Sequence, residues 1–195
     1  ENHPLNAGTT LPFSGGQALI AAADVVIAIA TEFSDVDIIY TGKRVGQPRL
    51  MVRVDLDTTQ LQSGLTAEIG VVSDAAAFAT ALTKALTDTG FTSSNHGAPA
   101  AAAKARADIG WTNQSRSHFA WLDVINEEMP AHAIVSLDST QLAYTAHHYT
   151  PWSTPSRWLA PYGLGTLGPA LPMGIGAKVA APKDPVVIIA GDGGV

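Results

Sequence analysis

The sequence predicts an α/β protein in which parallel sheets are flanked by helices, arranged as two incomplete doubly wound domains. Three observations lead to this prediction. Short runs of β-branched residues recur along the chain, these runs are almost continuously apolar, and stretches with helical character lie between them. Continuous apolar runs are typical of strands covered on both faces in a parallel sheet, and strands that alternate with helices favour right-handed crossover connections.

The first half of the chain contains predicted strands at residues 25–30 and 50–55, each rich in Val, Ile or Leu. An Ala-rich helix is predicted at residues 73–86. Ser73 or Asp74 is a suitable N-cap for this helix, because a short polar side chain can accept a hydrogen bond from the exposed N–H groups of the first turn.

The second half begins with a predicted helix at residues 117–129, whose apolar side chains recur on one face and which ends at Pro130. Two further strands are predicted at residues 133–137 and 186–190. The polar, small-residue segment 91–110 is interpreted as a linker that finishes as a helix.

These elements suggest a division of the chain into residues 1–90, a linker at 91–110, and residues 111–195. Each half has only two confident strands, and two strands do not form a stable doubly wound sheet on their own. We therefore expect each half to be part of a domain.

Composition excludes several classes of function. The chain has 195 residues, of which 46% are hydrophobic and 14% charged, so we expect a folded core and exclude disorder. A net charge of -6 leaves no basic face for a phosphate backbone, and we expect no nucleic acid partner. The chain has no cysteine and no long apolar stretch, which fits a cytoplasmic protein without a membrane segment.

The stretch GLGTLG at residues 163–168 matches the G-x-G-x-x-G pattern of dinucleotide-binding turns. Such a turn must follow a strand and begin a helix. Pro155 and Pro161 interrupt the residues before it, and Pro169 and Pro172 follow it. We therefore expect the context to be wrong for a nicotinamide cofactor.

Asp192 is the leading candidate for a metal ligand, because it lies in the stretch GDGG directly after the predicted strand 186–190. A carboxylate at the carboxyl end of a buried strand can hold Mg²⁺, while the open N–H groups of neighbouring glycines receive phosphate oxygens. The alternative is a tight turn that uses glycine only for its backbone freedom.

The stretch LDSTQ also follows a predicted strand, and its residues Ser139, Thr140 and Gln141 offer two hydroxyls and an amide. Ligands gather at the carboxyl ends of parallel strands, so we expect this stretch and Asp192 to face one site. The alternative is a turn that only starts a helix. The adjacent His147 and His148 are expected to lie solvated on a loop.

These pieces, in this order, resemble the thiamine-diphosphate-dependent enzymes of the acetolactate synthase, benzoylformate decarboxylase and oxalyl-CoA decarboxylase group. The resemblance rests on LDSTQ, the glycine-rich turn, the helix LPMGIGA, and a strand followed by GDG. The stretches ADVVIAIATEFSD, PRLMVRVDLDTTQL and IGVVSDAAAFATALTKAL look like the second half of the group's middle domain. The resemblance implies that residues 1–90 belong to that domain and residues 111–195 to the start of the diphosphate-binding domain.

The resemblance also implies a site for thiamine diphosphate and Mg²⁺. Asp192 would be the first Mg²⁺ ligand, and the carbonyl of Gly165 would accept a hydrogen bond from the 4'-amino group of the aminopyrimidine. Leu167 would be the apolar wedge beneath the cofactor. The other implied cofactor-binding positions are Ser139, Thr140, Gln141, Thr166, Gly191, Gly193 and Gly194.

The implied activity is that of a lyase or transferase, a decarboxylase or carboligase of a 2-oxo acid that works as a homodimer or homotetramer. LDSTQ followed by a segment with Tyr and His looks most like the decarboxylases of guanidino-substituted 2-oxo acids. The catalytic Glu of the family belongs to a pyrimidine-binding domain that would precede Glu1. We therefore expect no catalytic residue in this chain, and no activity from it alone.

Other interpretations remain open. Asp55 and Asp57 follow a strand end in the middle domain, where some relatives bind FAD or ADP, but helix capping by Asp57 or Thr58 is the better explanation there. A non-catalytic phosphate- or nucleotide-binding α/β module is one alternative function. A nicotinamide-dependent oxidoreductase is another.

Overall fold

The computed structural model of the chain describes residues 3–34, 37, 45–93, 97–151 and 154–195. The chain divides into two compact units, residues 2–110 and residues 111–195. Each unit contains a parallel sheet of three strands within the described residues, with helices packed beside it. The prediction of an α/β protein with parallel sheets and flanking helices is confirmed.

The first unit has its strands in the order β1-β2-β3, all parallel. Its elements are α1 (Ser14–Ala22), β1 (Val26–Ile29), β2 (Met51–Asp55), a 3-10 turn (Gln60–Gln62), β3 (Ile69–Val72), α2 (Ala75–Asp88) and α3 (Ala98–Ala107). Val26 is paired with Met51, and Val52 with Ile69. The two strands predicted in this half are present, with slightly shorter bounds.

Helix α2 begins as its sequence predicts. The carboxylate of Asp74 accepts hydrogen bonds from the N–H groups of Ala76 and Ala77 at 2.9 and 3.0 Å. The helix ends before Gly90, whose φ of +67° turns the chain away from the helical path.

Besides the 3-10 turn, two described elements of the first unit were not predicted, α1 and β3. Strand β3 has the sequence IGVV, and it is short, contains a glycine and has an exposed Ile69.

Helix α3 lies in the segment 91–110 that was expected to be a linker ending as a helix. Residues 94–96 of that segment are outside the described residues. Its buried residues Ala102 and Ala105 belong to a helix that packs against α1.

Arg53 on β2 is buried, with 1% of its surface exposed. Its guanidinium donates to the backbone carbonyls of Ser63, Leu65 and Thr31. It also lies over the ring of Phe33, 4.9 Å from the ring centroid. Burial lowers the pKa of Arg53, against an opposing effect of Asp55. Arg53 thus ties the segment after β1 to the segment after the 3-10 turn.

The second unit has its strands in the order β5-β4-β6, again all parallel. Its elements are α4 (Asn113–Ser117), α5 (Phe119–Glu128), β4 (Ile134–Leu137), α6 (Gln141–Tyr149), β5 (Trp158–Leu159), α7 (Ala170–Ala180), β6 (Val186–Ile189) and a second 3-10 turn (Asp192–Gly194). Strand β4 is buried along its whole length, because it lies between the other two strands. Its residues Val135 and Leu137 form a core cluster with Ala143 of α6.

Two expectations about the second unit were wrong. His147 and His148 lie on α6 and not on a loop. The glycine-rich stretch 163–168 does follow a strand, because the two-residue β5 pairs with β4 although prolines lie on both sides of it. Helix α7 then starts directly after Pro169, so that Pro172 falls in its first turn, where a proline is tolerated.

None of the helices in the described part of the chain is both long and apolar enough to cross a membrane.

Candidate functional site

Three loops meet at the carboxyl edge of the second unit's sheet. They are the β4 loop (residues 138–140), the glycine turn (residues 163–168) and the Asp192 turn (residues 191–194). Each loop follows one of the three parallel strands, and β4 is the central strand. In open parallel sheets, ligands bind at this edge.

The hydroxyls of the β4 loop lie close to the other two loops. Thr140 is the N-cap residue of α6, but its side chain accepts no capping hydrogen bond. Its Oγ1 lies 3.2 Å from the point where a Cβ at Gly191 would be. Ser139 Oγ lies 3.9 Å from the equivalent point at Gly165. The stretch thus starts helix α6, and its two hydroxyls also lie next to the other two loops.

The glycine turn presents an apolar side chain at the same edge. Gly165 and Gly168 have φ values of +60° and +92°, a left-handed conformation that favours glycine. Leu167 is 63% exposed, and its Cδ1 lies 3.7 Å from the point where a Cβ at Gly193 would be. An exposed leucine beside the Asp192 turn is suited to pack against an apolar part of a ligand.

Asp192 begins the 3-10 turn after β6, and its side chain is exposed. The N–H of Gly194 donates to the carbonyl of Gly191 at 3.0 Å and closes the turn. Among the described residues, no group of three or more His, Asp or Glu side chains is placed to hold a metal ion. A single exposed carboxylate such as Asp192 is compatible with the usual way proteins bind Mg²⁺, in which one or two protein oxygens are combined with phosphate and water.

Asp138 is a member of the site that the sequence analysis did not select. It is the first residue after β4 and is 1% exposed. Its Oδ1 accepts a hydrogen bond from the N–H of Ser139 at 2.7 Å, and its Oδ2 accepts one from the N–H of Gly168 at 2.9 Å. The available signal was a carboxylate directly after a buried strand, the same signal that selected Asp192.

The residues predicted for cofactor binding all lie at this edge. They are Ser139, Thr140 and Gln141 at and after the β4 loop, Gly165, Thr166 and Leu167 in the glycine turn, and Gly191, Asp192, Gly193 and Gly194 in the Asp192 turn. Their individual roles towards a cofactor and a metal stay predictions.

A histidine with a lowered pKa lies next to this edge. The Nδ1 of His147 on α6 is 3.0 Å from the indole nitrogen of Trp158 and 2.8 Å from the hydroxyl of Tyr162. Burial, and secondly the nearby His148, lower the pKa of His147 to about 4. The imidazole is therefore neutral at physiological pH, and it joins α6 to the residues just before the glycine turn.

At the carboxyl edge of the first unit's sheet, the carboxylates of Asp55 and Asp57 accept hydrogen bonds from residues close to them in the sequence. Asp57 accepts hydrogen bonds from the backbone N–H and the hydroxyl of Thr59, both at 2.8 Å, and these bonds lower the pKa of Asp57. Asp55 accepts from the N–H of Asp57 at 2.9 Å. Both side chains thus shape the turn that leads into the 3-10 segment.

Comparison with known proteins gives the following matches. Residues 138–195 match the family model described as thiamine pyrophosphate enzyme, C-terminal TPP binding domain. The chain is 39% identical over 195 residues to the probable 2-ketoarginine decarboxylase of Pseudomonas aeruginosa, covering 98% of this chain and 34% of that protein. It is 30% identical over 233 residues to the sulfoacetaldehyde acetyltransferase of Alcaligenes xylosoxydans xylosoxydans, covering 98% and 37%.

A more distant match is the acetolactate synthase large subunit of Lactococcus lactis, 24% identical over 192 residues, covering 96% of this chain and 32% of the relative. The chain thus spans about a third of the length of the curated relatives that it matches. The family model begins at Asp138 and includes all three loops of the site. With the three loops in place at one sheet edge, these matches mean that the chain belongs to the thiamine-diphosphate-dependent enzyme family.

Proposed function

We propose that the full-length protein containing this chain is a thiamine-diphosphate- and Mg²⁺-dependent decarboxylase or carboligase of 2-oxo acids. The observation that carries this proposal is the convergence of the β4 loop, the glycine turn and the Asp192 turn at one edge of a parallel sheet. Relatives named as a decarboxylase, an acetyltransferase and a synthase support it. The activity is proposed for the full-length protein, because the chain spans only about a third of those relatives.

The cofactor, when bound, would supply a nucleophilic carbon and an electron sink for the decarboxylation. The chain's own residues would hold and orient it. Asp192 would offer a carboxylate oxygen to Mg²⁺, and the hydroxyls of Ser139 and Thr140 would donate to the diphosphate. Leu167 would pack beneath the organic part of the cofactor, and the carbonyl of Gly165 would accept a hydrogen bond from its amino group.

An acid–base group must come from outside these loops. The only ionisable side chains within the β4 loop, the glycine turn and the Asp192 turn are those of Asp138 and Asp192. The first is engaged by backbone N–H groups and the second is assigned to the metal. We therefore propose that the catalytic Glu comes from a further domain and that the site is completed in a homodimer or homotetramer. These residues alone would then be inactive.

For the substrate we propose a 2-oxo acid with a guanidino group. The support is the 39% identity to the relative named as a probable 2-ketoarginine decarboxylase, which extends over 98% of this chain. A reducing cytoplasmic location is proposed with it, in keeping with the absence of cysteine.

The proposal can be tested on the full-length protein after removal of bound metal with a chelator. Calorimetry with thiamine diphosphate and Mg²⁺ should show binding, and the Asp192→Ala variant should bind roughly a hundredfold more weakly, equivalent to about 2.7 kcal/mol. Asp88→Ala is a matched control, because Asp88 is an exposed carboxylate on α2. Unchanged affinity in Asp192→Ala would remove the metal assignment.

Release of CO₂ from 2-ketoarginine and from pyruvate, with and without the cofactor, separates the remaining functions. Cofactor-dependent release from 2-ketoarginine supports the guanidino subtype, and release from pyruvate alone supports an acetolactate-synthase-like activity. Binding without release from either substrate is the result expected of a non-catalytic module. Binding of NAD in place of thiamine diphosphate would favour an oxidoreductase.

A further inference from the structure

Among the described residues of the second unit, Asp138 is the only carboxylate that is fully buried. Its side chain makes contacts with more than one loop. Its Oδ1 accepts a hydrogen bond from the N–H of Ser139 at 2.7 Å. The N–H of Gly168 lies 3.1 Å from Oδ1 and 2.9 Å from Oδ2. Hydrogen bonds from N–H groups to an ionised carboxylate are among the strong ones. A single side chain therefore fastens the end of the glycine turn to the β4 loop.

The same carboxylate also contacts the third loop. A Cβ at Gly194 would lie 2.4 Å from Oδ2 and 2.8 Å from Cγ of Asp138. Real Cβ atoms do not approach that closely, so the carboxylate occupies the space that a side chain at position 194 would need. This gives Gly194 a steric role that is independent of its backbone angles.

Backbone contacts complete the attachment. The N–H of Asp138 donates to the carbonyl of Ile189 at 2.9 Å, where β6 ends and the chain enters the Asp192 turn. Position 138 is thus bonded on its backbone to the strand that leads to Asp192, and on its side chain to the glycine turn. One residue is therefore in contact with both loops.

We propose that Asp138 is a positioning residue for the cofactor, which sets the distance between the glycine turn and the Asp192 turn before the cofactor binds. This inference rests on the proposed function, because it assigns the two loops to one ligand. Asp138 itself would not touch the ligand. It would act through Gly168 on the turn that carries Gly165 and Leu167, and through Gly194 on the turn that carries Asp192.

The first variants to test are Asp138→Asn and Gly194→Ala in the full-length protein. The amide of Asp138→Asn has the shape of the carboxylate but lacks its negative charge, so the hydrogen bonds from Ser139 and Gly168 become weaker in either orientation of the amide. Its NH2 group also faces one of these two backbone N–H groups, a donor against a donor. Gly194→Ala leaves the carboxylate chemistry intact and displaces it. Ser136→Ala is the matched control, because Ser136 is a buried residue of β4 whose hydroxyl donates to the carbonyl of Ala170 at 2.7 Å and not to any of the three loops.

Two measurements are required. Hydrogen–deuterium exchange of the cofactor-free protein, read by mass spectrometry, should become faster in the peptide covering residues 163–168 in Asp138→Asn and stay as in wild type in Ser136→Ala. Calorimetry with thiamine diphosphate and Mg²⁺ should show affinity reduced by roughly tenfold or more in Asp138→Asn and Gly194→Ala, the size expected when a residue that orients a ligand site is lost. Ser136→Ala should bind as wild type, even if it melts at a lower temperature.

The outcomes separate the two proposals. Wild-type exchange in the peptide 163–168 of Asp138→Asn would overturn the inference whatever the binding result. Faster exchange with unchanged affinity in both variants would overturn it too, since the fastening would then not matter to the cofactor. Failure of the wild-type protein to bind thiamine diphosphate would instead reject the proposed function, and the inference with it, in an experiment that involves no variant.

Discussion

Trp158 donates its indole N–H to Nδ1 of His147 over 3.0 Å, and this bond determines the tautomer of the imidazole. The indole nitrogen is only a donor, so Nδ1 must carry a lone pair and the ring proton must be on Nε2. The hydroxyl of Tyr162, 2.8 Å from the same Nδ1, is then a donor as well. Tyr162 directly precedes the glycine turn, so the neutral imidazole anchors the start of that turn to α6.

This anchor should weaken in acid. The pKa of His147 is lowered from 6.5 to about 4 in the folded protein, mainly by burial. Between these two pH values the unfolded chain binds a proton that the folded chain does not, so the folded state has its full stability above pH 6.5 and loses it as the pH falls towards 4. The loss from this one group amounts to about 3 kcal/mol at most.

The His147→Gln variant tests that pH dependence, because glutamine has no proton to gain and can still accept a hydrogen bond from Trp158. Thermal denaturation at about pH 7.5 and about pH 5 should show a larger decrease for wild type than for the variant. Equal decreases in the two proteins would contradict the assignment. A second variant, Trp158→Phe, removes the indole donor that requires an unprotonated Nδ1 on His147. It should therefore raise the pKa of His147, which can be measured by deuterium exchange at the imidazole C2.

The buried guanidinium of the first unit should tolerate little change. The planar guanidinium of Arg53 donates hydrogen bonds to the backbone carbonyls of Ser63, Leu65 and Thr31. In Arg53→Lys a single ammonium group would replace it, and this group cannot reproduce the same geometry. We expect a loss of about 2–4 kcal/mol in the free energy of unfolding. Arg49→Lys is the control, since the side chain of Arg49 is 82% exposed and pairs with Asp24 at 3.5 Å. Denaturant unfolding that gives the same small effect for both variants would argue against the role assigned to Arg53.

Helix α7 approaches β6 closely at Gly174. A Cβ there would lie 2.6 Å from both Cγ1 and Cδ1 of Ile188, so Gly174→Ala should be destabilising by about 1–3 kcal/mol through overpacking. Gly176 lies two residues further along the same helix and has nothing within 4 Å of the equivalent point. Gly176→Ala should be neutral or stabilising by up to about 1 kcal/mol. Thermal unfolding of the pair checks the prediction, and a destabilised Gly176→Ala would contradict it.

The N-cap of α2 should contribute measurably to stability. Asp74→Ala leaves the N–H groups of Ala76 and Ala77 without their acceptor, and we expect a loss of about 1 kcal/mol. Asp88→Ala at the other end of the helix removes an exposed ion pair with Lys84 and should change stability by less than about 0.5 kcal/mol. Hydrogen exchange in the first turn of α2 should rise in the first variant only.

Several elements could be predicted because their signals are local. The apolar runs that form β2 and β4 are long enough to be recognised without knowing which strands pair with them. Asp74 likewise identifies the start of α2, because it lies directly before an Ala-rich segment. Strand β5 could not be found in this way. Two residues between prolines form a strand only because β4 provides backbone partners, which is a long-range property.

The candidate site shows the same division. Asp192, Ser139 and Thr140 could be selected from the sequence, since polar residues after apolar runs are visible in it and the order of the motifs resembles one enzyme family. Asp138 stands in the same kind of position, directly after an apolar run, and the sequence alone does not distinguish its role. What distinguishes it is burial beneath Gly194 and a hydrogen bond from Gly168, thirty residues away along the chain.

The sequence by itself determined the fold class, most of the local elements, and the class of cofactor that the motifs match, because these depend on periodicity, capping residues and the order of short segments. Only the tertiary structure decided the strand order β5-β4-β6, the meeting of three loops at one edge, and which of two aspartates is buried among backbone N–H groups and which is exposed to solvent. Strand pairing and the burial of a carboxylate are set by partners far apart in the chain, and no local pattern records them.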